Sequence, residues 1–242
     1  MSLPLSVYKR MPKRMPHSLG FDRYVLYFDG EDDYIEIPDS PSLNPTKAIT
    51  VEAMIKPVVD MYGGTTWTCI RKASNQYLLE PGDAGTNYWA FGVNIGGTFY
   101  RVDTDEPISI KQWHHFVGLY DSSKGVLQIW VDGKLRGSRS LTGEIQVQSG
   151  GLLIGRWGSE YFTGYIAFVR IYNRALSESE IRYNLLNYHN PVRDGLVLWL
   201  DFEEGHGDKA YDKSDYGNHG TIYGGAKWIR VRQYELRAEV GL

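Results

Sequence analysis

Two short acidic stretches, FDGEDDY and DKSDYGN, hold the residues best suited to bind a hard cation. Their candidate ligands are Asp29, Asp32, Asp33, Asp212, Asp215 and Asn218. Closely spaced carboxylate and amide oxygens are the ligands that calcium prefers. The same residue types are favoured in turns, because their side chains hydrogen-bond the local backbone and tolerate unusual dihedral angles. The two stretches therefore predict either a structural calcium site or a pair of turns.

Aromatic residues beside glycine-rich loops are the best candidates for a binding surface. The loops MYGGTTW, GDAGTNYW and GRWGSEY contribute Tyr62, Trp67, Tyr88, Trp89, Trp157 and Tyr161. Sugar rings stack on aromatic faces, and loop residues are the ones available to a ligand. Each of these residues taken singly is predicted to cover the end of the sandwich. Together they predict a face that binds glycans or a surface polymer. By contrast, Trp113, Trp130 and Trp199 lie in regular strand patterns and are predicted to fill the core.

The remaining reactive residues form no catalytic constellation in the sequence. Cys69 is the one cysteine, which excludes an intramolecular disulfide, and its apolar flanks predict a buried packing residue. His114 and His115 are adjacent in a predicted strand, so their side chains face opposite sides and do not chelate one ion. Nucleophile-elbow, zinc-ligand and Walker-type motifs are absent from the sequence. We therefore predict that the protein is not an enzyme.

Short runs of alternating or β-branched residues carry these candidates. The runs extend from Tyr24 to Val231, and turn signals such as VDGK join them. This pattern is typical of an antiparallel β-sandwich. One short helix near 177–189 is predicted by the capping box SESE and by the helical spacing of the apolar residues after it. The predicted fold class is all-β, with two antiparallel sheets and one helix.

A family resemblance runs from about Tyr24 to Tyr188. Its motifs are LYFDGEDDYIEIPDSPSLNPTKAITVEAMIKP, WHHFVGLYD, LQIWVDGKLRGS and FTGYIAFVRIYNRALSESEI. They resemble successive signatures of the laminin-G-like jelly roll, within the concanavalin A-like lectin and glucanase superfamily. The resemblance implies a jelly-roll sandwich, and it adds weight to calcium, which such jelly rolls often hold as a structural ion. The acidic pair in the family pattern GYIDEVRIYNRAL is replaced here by Ala167 and Phe168.

A glycoside hydrolase is the least favoured function. Glu31, Asp33 and Glu36 match the E-x-D-x-x-E spacing of a glucanase catalytic strand in the same superfamily. Hydrolysis needs two carboxylates, about 5 Å apart for retention of configuration and further apart for inversion. However, the glucanase motif has an apolar residue where this chain has Asp32, and the laminin-G-like pattern accounts for the whole stretch. No catalytic residue is predicted.

The order of the segments along the chain is unusual for this family. Residues 195–228 resemble the segment that normally precedes the LYFDG strand, yet here they follow the helix. We predict one circularly permuted domain at 21–232, because sandwich termini usually lie near each other. Permutation would bring the two acidic stretches together. The alternative is that the segment is donated to the open sheet edge of a neighbouring chain.

Charge and termini give expectations about context. The net charge of −3 and the lack of an apolar run of roughly 18 residues predict neither nucleic-acid binding nor membrane insertion. Residues 1–20 read as a basic, extended arm without the apolar core of a secretory signal, and residues 233–242 as a tail. These termini favour an alternative function: a self-assembling viral or phage capsid, decoration or appendage subunit. Such a homo-oligomer would be made in the cytoplasm and assembled into a particle or surface structure.

Overall fold

The computed structural model describes residues 22–59, 69–82 and 86–232. The strands are β1 (Asp22–Asp29), β2 (Tyr34–Ile37), β3 (Ala48–Pro57), β4 (Ile70–Lys72), β5 (Tyr77–Pro81), β6 (Trp89–Ile95), β7 (Thr98–Asp103), β8 (His114–Asp121), β9 (Val126–Val131), β10 (Lys134–Ser140), β11 (Leu152–Ile154), β12 (Arg156–Trp157), β13 (Glu160–Tyr161), β14 (Thr163–Tyr172), β15 (Leu196–Leu200), β16 (Lys209–Ala210), β17 (Gly220–Tyr223) and β18 (Lys227–Arg232). One α-helix, α1, spans Glu178–Leu186, and short 3-10 turns occupy Pro41–Leu43 and Ala73–Asn75.

The strands form two antiparallel sheets. Sheet A has the order β10-β9-β8-β3-β14-β1-β18, with β15 also paired to β14. Sheet B has the order β16-β17-β2-β11-β4-β5-β6-β7, and β12 and β13 form a separate hairpin. The predicted all-β sandwich with one short helix is therefore confirmed.

The alternation of side chains along each strand builds the core between the sheets. Ile55 and Ile166 are register partners on β3 and β14, and both are fully buried in this core. Trp89 is buried there as well, with its ring stacked on Phe116 at 3.9 Å between ring centroids. The predicted core residues Trp113, Trp130 and Trp199 are buried too, but they belong to two apolar clusters that include residues of α1 and its flanks.

Helix α1 covers the outer face of sheet A and is anchored there. Its N-terminus has the predicted capping box, in which Ser177 and Glu180 hydrogen-bond each other's backbone N–H groups. Below it, Glu52 accepts hydrogen bonds from Arg170 (3.1 Å) and from Asn184 of the helix (3.0 Å). Burial opposes ionisation of Glu52, but Arg170 and the His115 ring lower the pKa of this carboxyl. This paired, fully buried network holds the helix on the sheet.

The C-terminal segment packs within its own chain. Strand β15 pairs with β14, β17 pairs with β2, and β18 pairs with β1, so that Trp228 lies opposite Leu26. Residues 196–232 thus occupy positions in both sheets of this chain. Permutation itself stays a prediction. The arm at 1–20 and the tail at 233–242 lie outside the described residues.

Candidate functional site

The loop between β1 and β2 gathers three carboxylates. The backbone N–H of Asp29 donates to Asp33 Oδ2 (2.9 Å), and the N–H of Glu31 donates to Asp29 Oδ1 (2.9 Å). Gly30 permits this tight loop because its φ of +85° lies in the left-handed region. As a result, Asp29, Asp32 and Asp33 each present one carboxylate oxygen within 4.8 Å of the others.

Asp33 is the member of this loop whose environment points to a ligand. Asp33 is 2% exposed, and its Oδ1 is buried without a hydrogen-bond partner among the residues that the structure describes. Burial, together with the charges of Asp29 and Asp32, raises the pKa of the Asp33 carboxyl to about 6. A buried carboxylate oxygen without a donor is costly, and a cation would relieve both the missing bond and the repulsion. These oxygens fit the oxygen-rich coordination of calcium.

The second acidic stretch has a different character. Asp212 is buried, and its two oxygens accept hydrogen bonds from the backbone N–H groups of Trp199 (2.8 Å), Ser214 (2.9 Å) and Asn218 (2.8 Å). The Ser214 hydroxyl adds a fourth bond at 2.7 Å. The Asn218 amide donates to Val197 O at 2.8 Å, and Asp215 is exposed. The oxygens of Asp212 therefore accept hydrogen bonds that hold the local turn, which is the alternative to a calcium site given for this stretch from its sequence.

The two stretches lie at opposite ends of the β2–β17 pair. Because the strands are antiparallel, Tyr223 lies beside Tyr34 and Thr221 beside Glu36. The β1–β2 loop therefore meets the residues after Tyr223, whereas residues 212–218 lie beyond the other end of β17. The structure divides the six predicted ligands between two places, and the shared ion pocket expected from the sequence is not formed.

Aromatic and arginine side chains lie next to the acidic loop. The rings of Tyr34 and Tyr223 are stacked, with centroids 4.8 Å apart and planes at 14°. The Arg156 guanidinium lies 4.8 Å from the Tyr34 centroid and 5.6 Å from that of Tyr161. On the other side of the β12–β13 hairpin, Arg71 lies 4.5 Å from the centroid of a Trp157 ring. Such cation–π contacts fix the rings at their positions.

Two glycines let these parts touch the acidic loop. A Cβ atom on Gly224 would collide with the Asp32 carbonyl oxygen, and one on Gly155 would lie 3.2 Å from the Asp33 carbonyl oxygen. Both residues have a positive φ, which glycine tolerates best. We call the resulting unit the acidic–aromatic site; it comprises loop 29–33 with Tyr34, Tyr223, Arg156, Tyr161 and Trp157.

The six predicted ligand-binding aromatics have different locations. Trp157 and Tyr161 are half-buried in the acidic–aromatic site. Trp89 is fully buried between the sheets, which corrects its prediction as a surface residue: it begins a strand and faces inward. Tyr88 precedes that strand, where its carbonyl accepts a hydrogen bond from Gly82 N. Tyr62 and Trp67 lie outside the described residues.

Sequence reasoning missed Tyr34 and Tyr223. Both lie in regular strands rather than glycine-rich loops, and their pairing depends on strands that are far apart in the sequence. The available signal was the alternation of residues along β2, which predicts that Tyr34 faces away from the core.

No helix in the described parts of the chain is long and apolar enough to cross a membrane.

Three solved structures are similar to this chain in fold. A Bacteroides ovatus ATCC 8483 protein, described as a candidate carbohydrate binding protein, aligns with a TM-score of 0.68 and 23% identity over 87% of this chain and 60% of its own. The heptameric SAP-like pentraxin of Limulus polyphemus aligns with a TM-score of 0.51 and 15% identity over 67% of this chain and 81% of its own. Domain 4 of the GH43 arabinanase AbnA of Geobacillus stearothermophilus, in complex with arabinotriose, aligns with a TM-score of 0.50 and 21% identity over 62% of this chain and 71% of its own.

Sequence relatives and a family profile complete the comparison. Pentraxin-related protein PTX3 of Mus musculus is 28% identical over 131 residues, 48% of this chain and 34% of the relative. The Homo sapiens protein is 27% identical over 118 residues, 43% of this chain and 31% of the relative. The chain thus spans about a third of the length of these relatives. The Laminin_G_3 profile, described as the concanavalin A-like lectin/glucanases superfamily, matches residues 29–182, and the chain belongs to this family.

Proposed function

We propose that this chain is a glycan-binding module that uses the acidic–aromatic site and a calcium ion held by Asp29, Asp32 and Asp33. The observation that carries the proposal is the buried carboxylate oxygen of Asp33 that has no hydrogen-bond partner among the described residues, in the loop that leads into Tyr34 of the stacked tyrosine pair. In this proposal the module has no catalytic role at that site.

The chemistry of the site suits a sugar. Tyrosine faces contact the apolar C–H surface of a sugar ring, while Arg156 and nearby carboxylates supply donors and acceptors for its hydroxyls. Tyr223 is 41% exposed, so it offers free ring surface. Calcium would neutralise the acidic loop and hold it against Tyr34. Ligand sites of this kind use a few fixed polar groups beside aromatic surface.

The comparisons support carbohydrate as the ligand class. The Bacteroides protein is described as a candidate carbohydrate binding protein, and the structure of the Geobacillus domain is of a complex with arabinotriose. Both share this fold at low identity, so the proposal depends on the residues of this chain rather than on theirs.

A glycan array screened with and without calcium, followed by calorimetric titration of the tightest ligand, tests the proposal. We expect Tyr223→Ala to weaken binding about tenfold, which corresponds to the loss of one stacked ring. The matched control is Tyr216→Ala, since Tyr216 is also exposed (53%) but lies in the second acidic stretch. A wild-type protein that binds no glycan in either condition, or equal losses in the two variants, would contradict the proposal.

A further inference from the structure

A surface depression of about 210 Å³ lies on sheet A, away from the acidic–aromatic site. The residues of loop 106–109, the start of β8 and the β9–β10 turn line it. Strands β3 and β14 separate β8 from β1, which places the two regions roughly 14 Å apart at the usual spacing between strands. The depression is therefore a second region with its own side chains.

Three side chains in this depression form a hydrogen-bonded series. Ser109 Oγ lies 2.9 Å from His114 Nε2, and His114 Nδ1 lies 2.8 Å from Asp132 Oδ2. This is the order of nucleophile, base and orienting carboxylate that activates a serine hydroxyl, and such a series is recognised by its geometry rather than by sequence position. Ser109 is exposed to an incoming molecule, while His114 is 8% exposed.

The fold holds Asp132 in place. It occupies the first central position of the β9–β10 turn with φ +52°, followed by Gly133 at φ +71°. Its Oδ1 accepts a hydrogen bond from His115 N (2.8 Å), and its own N–H donates to His115 O (2.9 Å). The carboxylate therefore has one oxygen bound to the backbone and the other facing the His114 ring. A proton on Nδ1 then leaves Nε2 to accept the serine proton.

The Ser109 hydroxyl has a competing acceptor. The Ser109 hydroxyl donates a hydrogen bond to Gln112 Oε1 (3.0 Å), and the Ser109 carbonyl oxygen, which only accepts, lies 3.1 Å from His114 Nε2. The reactive arrangement therefore requires the imidazole proton on Nδ1, facing Asp132, and the hydroxyl turned from Gln112 to Nε2. The single hydroxyl proton points either to Gln112 or to His114, and rotation about one bond interconverts the two arrangements. The second arrangement is the reactive one.

We propose that Ser109, His114 and Asp132 form an acyl-transfer site that hydrolyses short-chain carboxylic esters. Ser109 Oγ bonds to the ester carbonyl carbon while its proton passes to His114 Nε2, and the alcohol leaves with that proton. Water then attacks the acyl-serine and gives its proton to Nε2; the carboxylic acid departs as Ser109 regains its hydrogen. Lys134, which also lines the depression, brings positive charge to it. The small volume favours an acetyl-sized acyl group.

Two measurements on the whole protein test this proposal: hydrolysis of p-nitrophenyl acetate, and labelling by a fluorophosphonate probe with the modified peptide identified by mass spectrometry. We expect labelling on Ser109 and a loss of hydrolysis of at least about a hundredfold in both Ser109→Ala and His114→Gln. Ser140→Ala is the matched control and should keep the wild-type rate, because Ser140 is an exposed serine at the end of β10 that does not line the depression. Gln112→Ala should raise the rate, because it removes the competing acceptor.

Thermal unfolding of each variant separates chemistry from folding. His114 is buried, so His114→Gln is interpreted only alongside the exposed Ser109→Ala variant. A wild-type protein that is not labelled at Ser109, or a Ser109→Ala variant that hydrolyses the ester as fast as Ser140→Ala, overturns the proposal. In that outcome the three side chains act only as a clamp between the loop and the turn. The result does not depend on whether a glycan binds elsewhere.

Discussion

The two acidic stretches have similar compositions and opposite hydrogen-bonding states. Asp212 accepts four hydrogen bonds from three neighbouring residues, so both of its carboxylate oxygens have donors within the protein. Asp33 accepts one from Asp29 N and keeps a buried oxygen to which no described residue donates, next to two more carboxylates. A turn residue and a candidate ligand residue thus differ here in whether the fold supplies donors to both of their oxygens.

The difference has an energetic meaning. A buried carboxylate whose two oxygens both accept hydrogen bonds keeps, inside the protein, the bonding that water would otherwise supply. A buried carboxylate with a donor to only one of its oxygens, beside like charges, is destabilised as an anion, and burial together with those charges raises the pKa of Asp33. The first arrangement stabilises the fold by itself, whereas the second becomes favourable only with a proton or a cation.

The largest expected effect comes from breaking the satisfied stretch. Asp212→Ala should lower the free energy of unfolding by about 3 kcal/mol, because it leaves buried N–H groups of Trp199 and Asn218 without an acceptor. Urea denaturation followed by tryptophan fluorescence measures this loss. Asp215→Ala, at an exposed position, should change stability by less than about 0.5 kcal/mol. Similar losses in the two variants would contradict the assigned role of Asp212.

The next effect concerns calcium and pH. Because Asp33 has a pKa of about 6 and must be ionised to bind a cation, calcium affinity should fall about tenfold from pH 7 to pH 5. Calorimetric titration at the two pH values measures it. Asp33→Asn should abolish the calcium-induced rise in melting temperature, whereas Asp215→Asn should keep it. A rise that survives in Asp33→Asn would remove calcium from this loop.

The smallest effect is on the calcium-free protein. The folded-state pKa of Asp33 is raised from 3.8, so the folded protein holds a proton that the unfolded chain releases, and stability falls as pH rises from about 4 to 6. Asp33→Asn should therefore be more stable than wild type at pH 7 in EDTA, and this difference should disappear as the pH falls below 4. Chemical denaturation across this range measures both. A variant less stable than wild type at pH 7 would contradict the assignment of a strained carboxylate.

Local sequence patterns predicted much of the fold. Alternation along strands such as β3 and β14 indicated which residues face inward, and the capping box at Ser177 located the start of α1. These features depend on neighbours within a few residues. Trp89 shows where local patterns fail. It follows a glycine-rich loop, yet it lies in the core between the sheets, because its burial depends on the opposite sheet, which supplies Phe116.

The site could be predicted only in part. The acidic loop was recognisable because its three carboxylates lie within five residues, and Trp157 and Tyr161 because they flank a glycine-rich turn. The partnership of Tyr34 with Tyr223 joins residues from opposite ends of the chain, so no local pattern contains it. The series from Ser109 through His114 to Asp132 likewise requires a loop, a strand and a turn to meet.

By itself, the sequence determined the all-β class, the strand alternation, the helix cap and the oxygen-rich composition of both acidic stretches. Each follows from interactions between residues close in the chain. Only the tertiary structure decided that both oxygens of Asp212 have donors while Oδ1 of Asp33 has none among the described residues. Packing determines which donors reach a buried side chain, as when Trp199 N reaches Asp212 from strand β15. Hydrogen-bond satisfaction is a property of the three-dimensional neighbourhood, and here it separates a turn from a candidate ligand site.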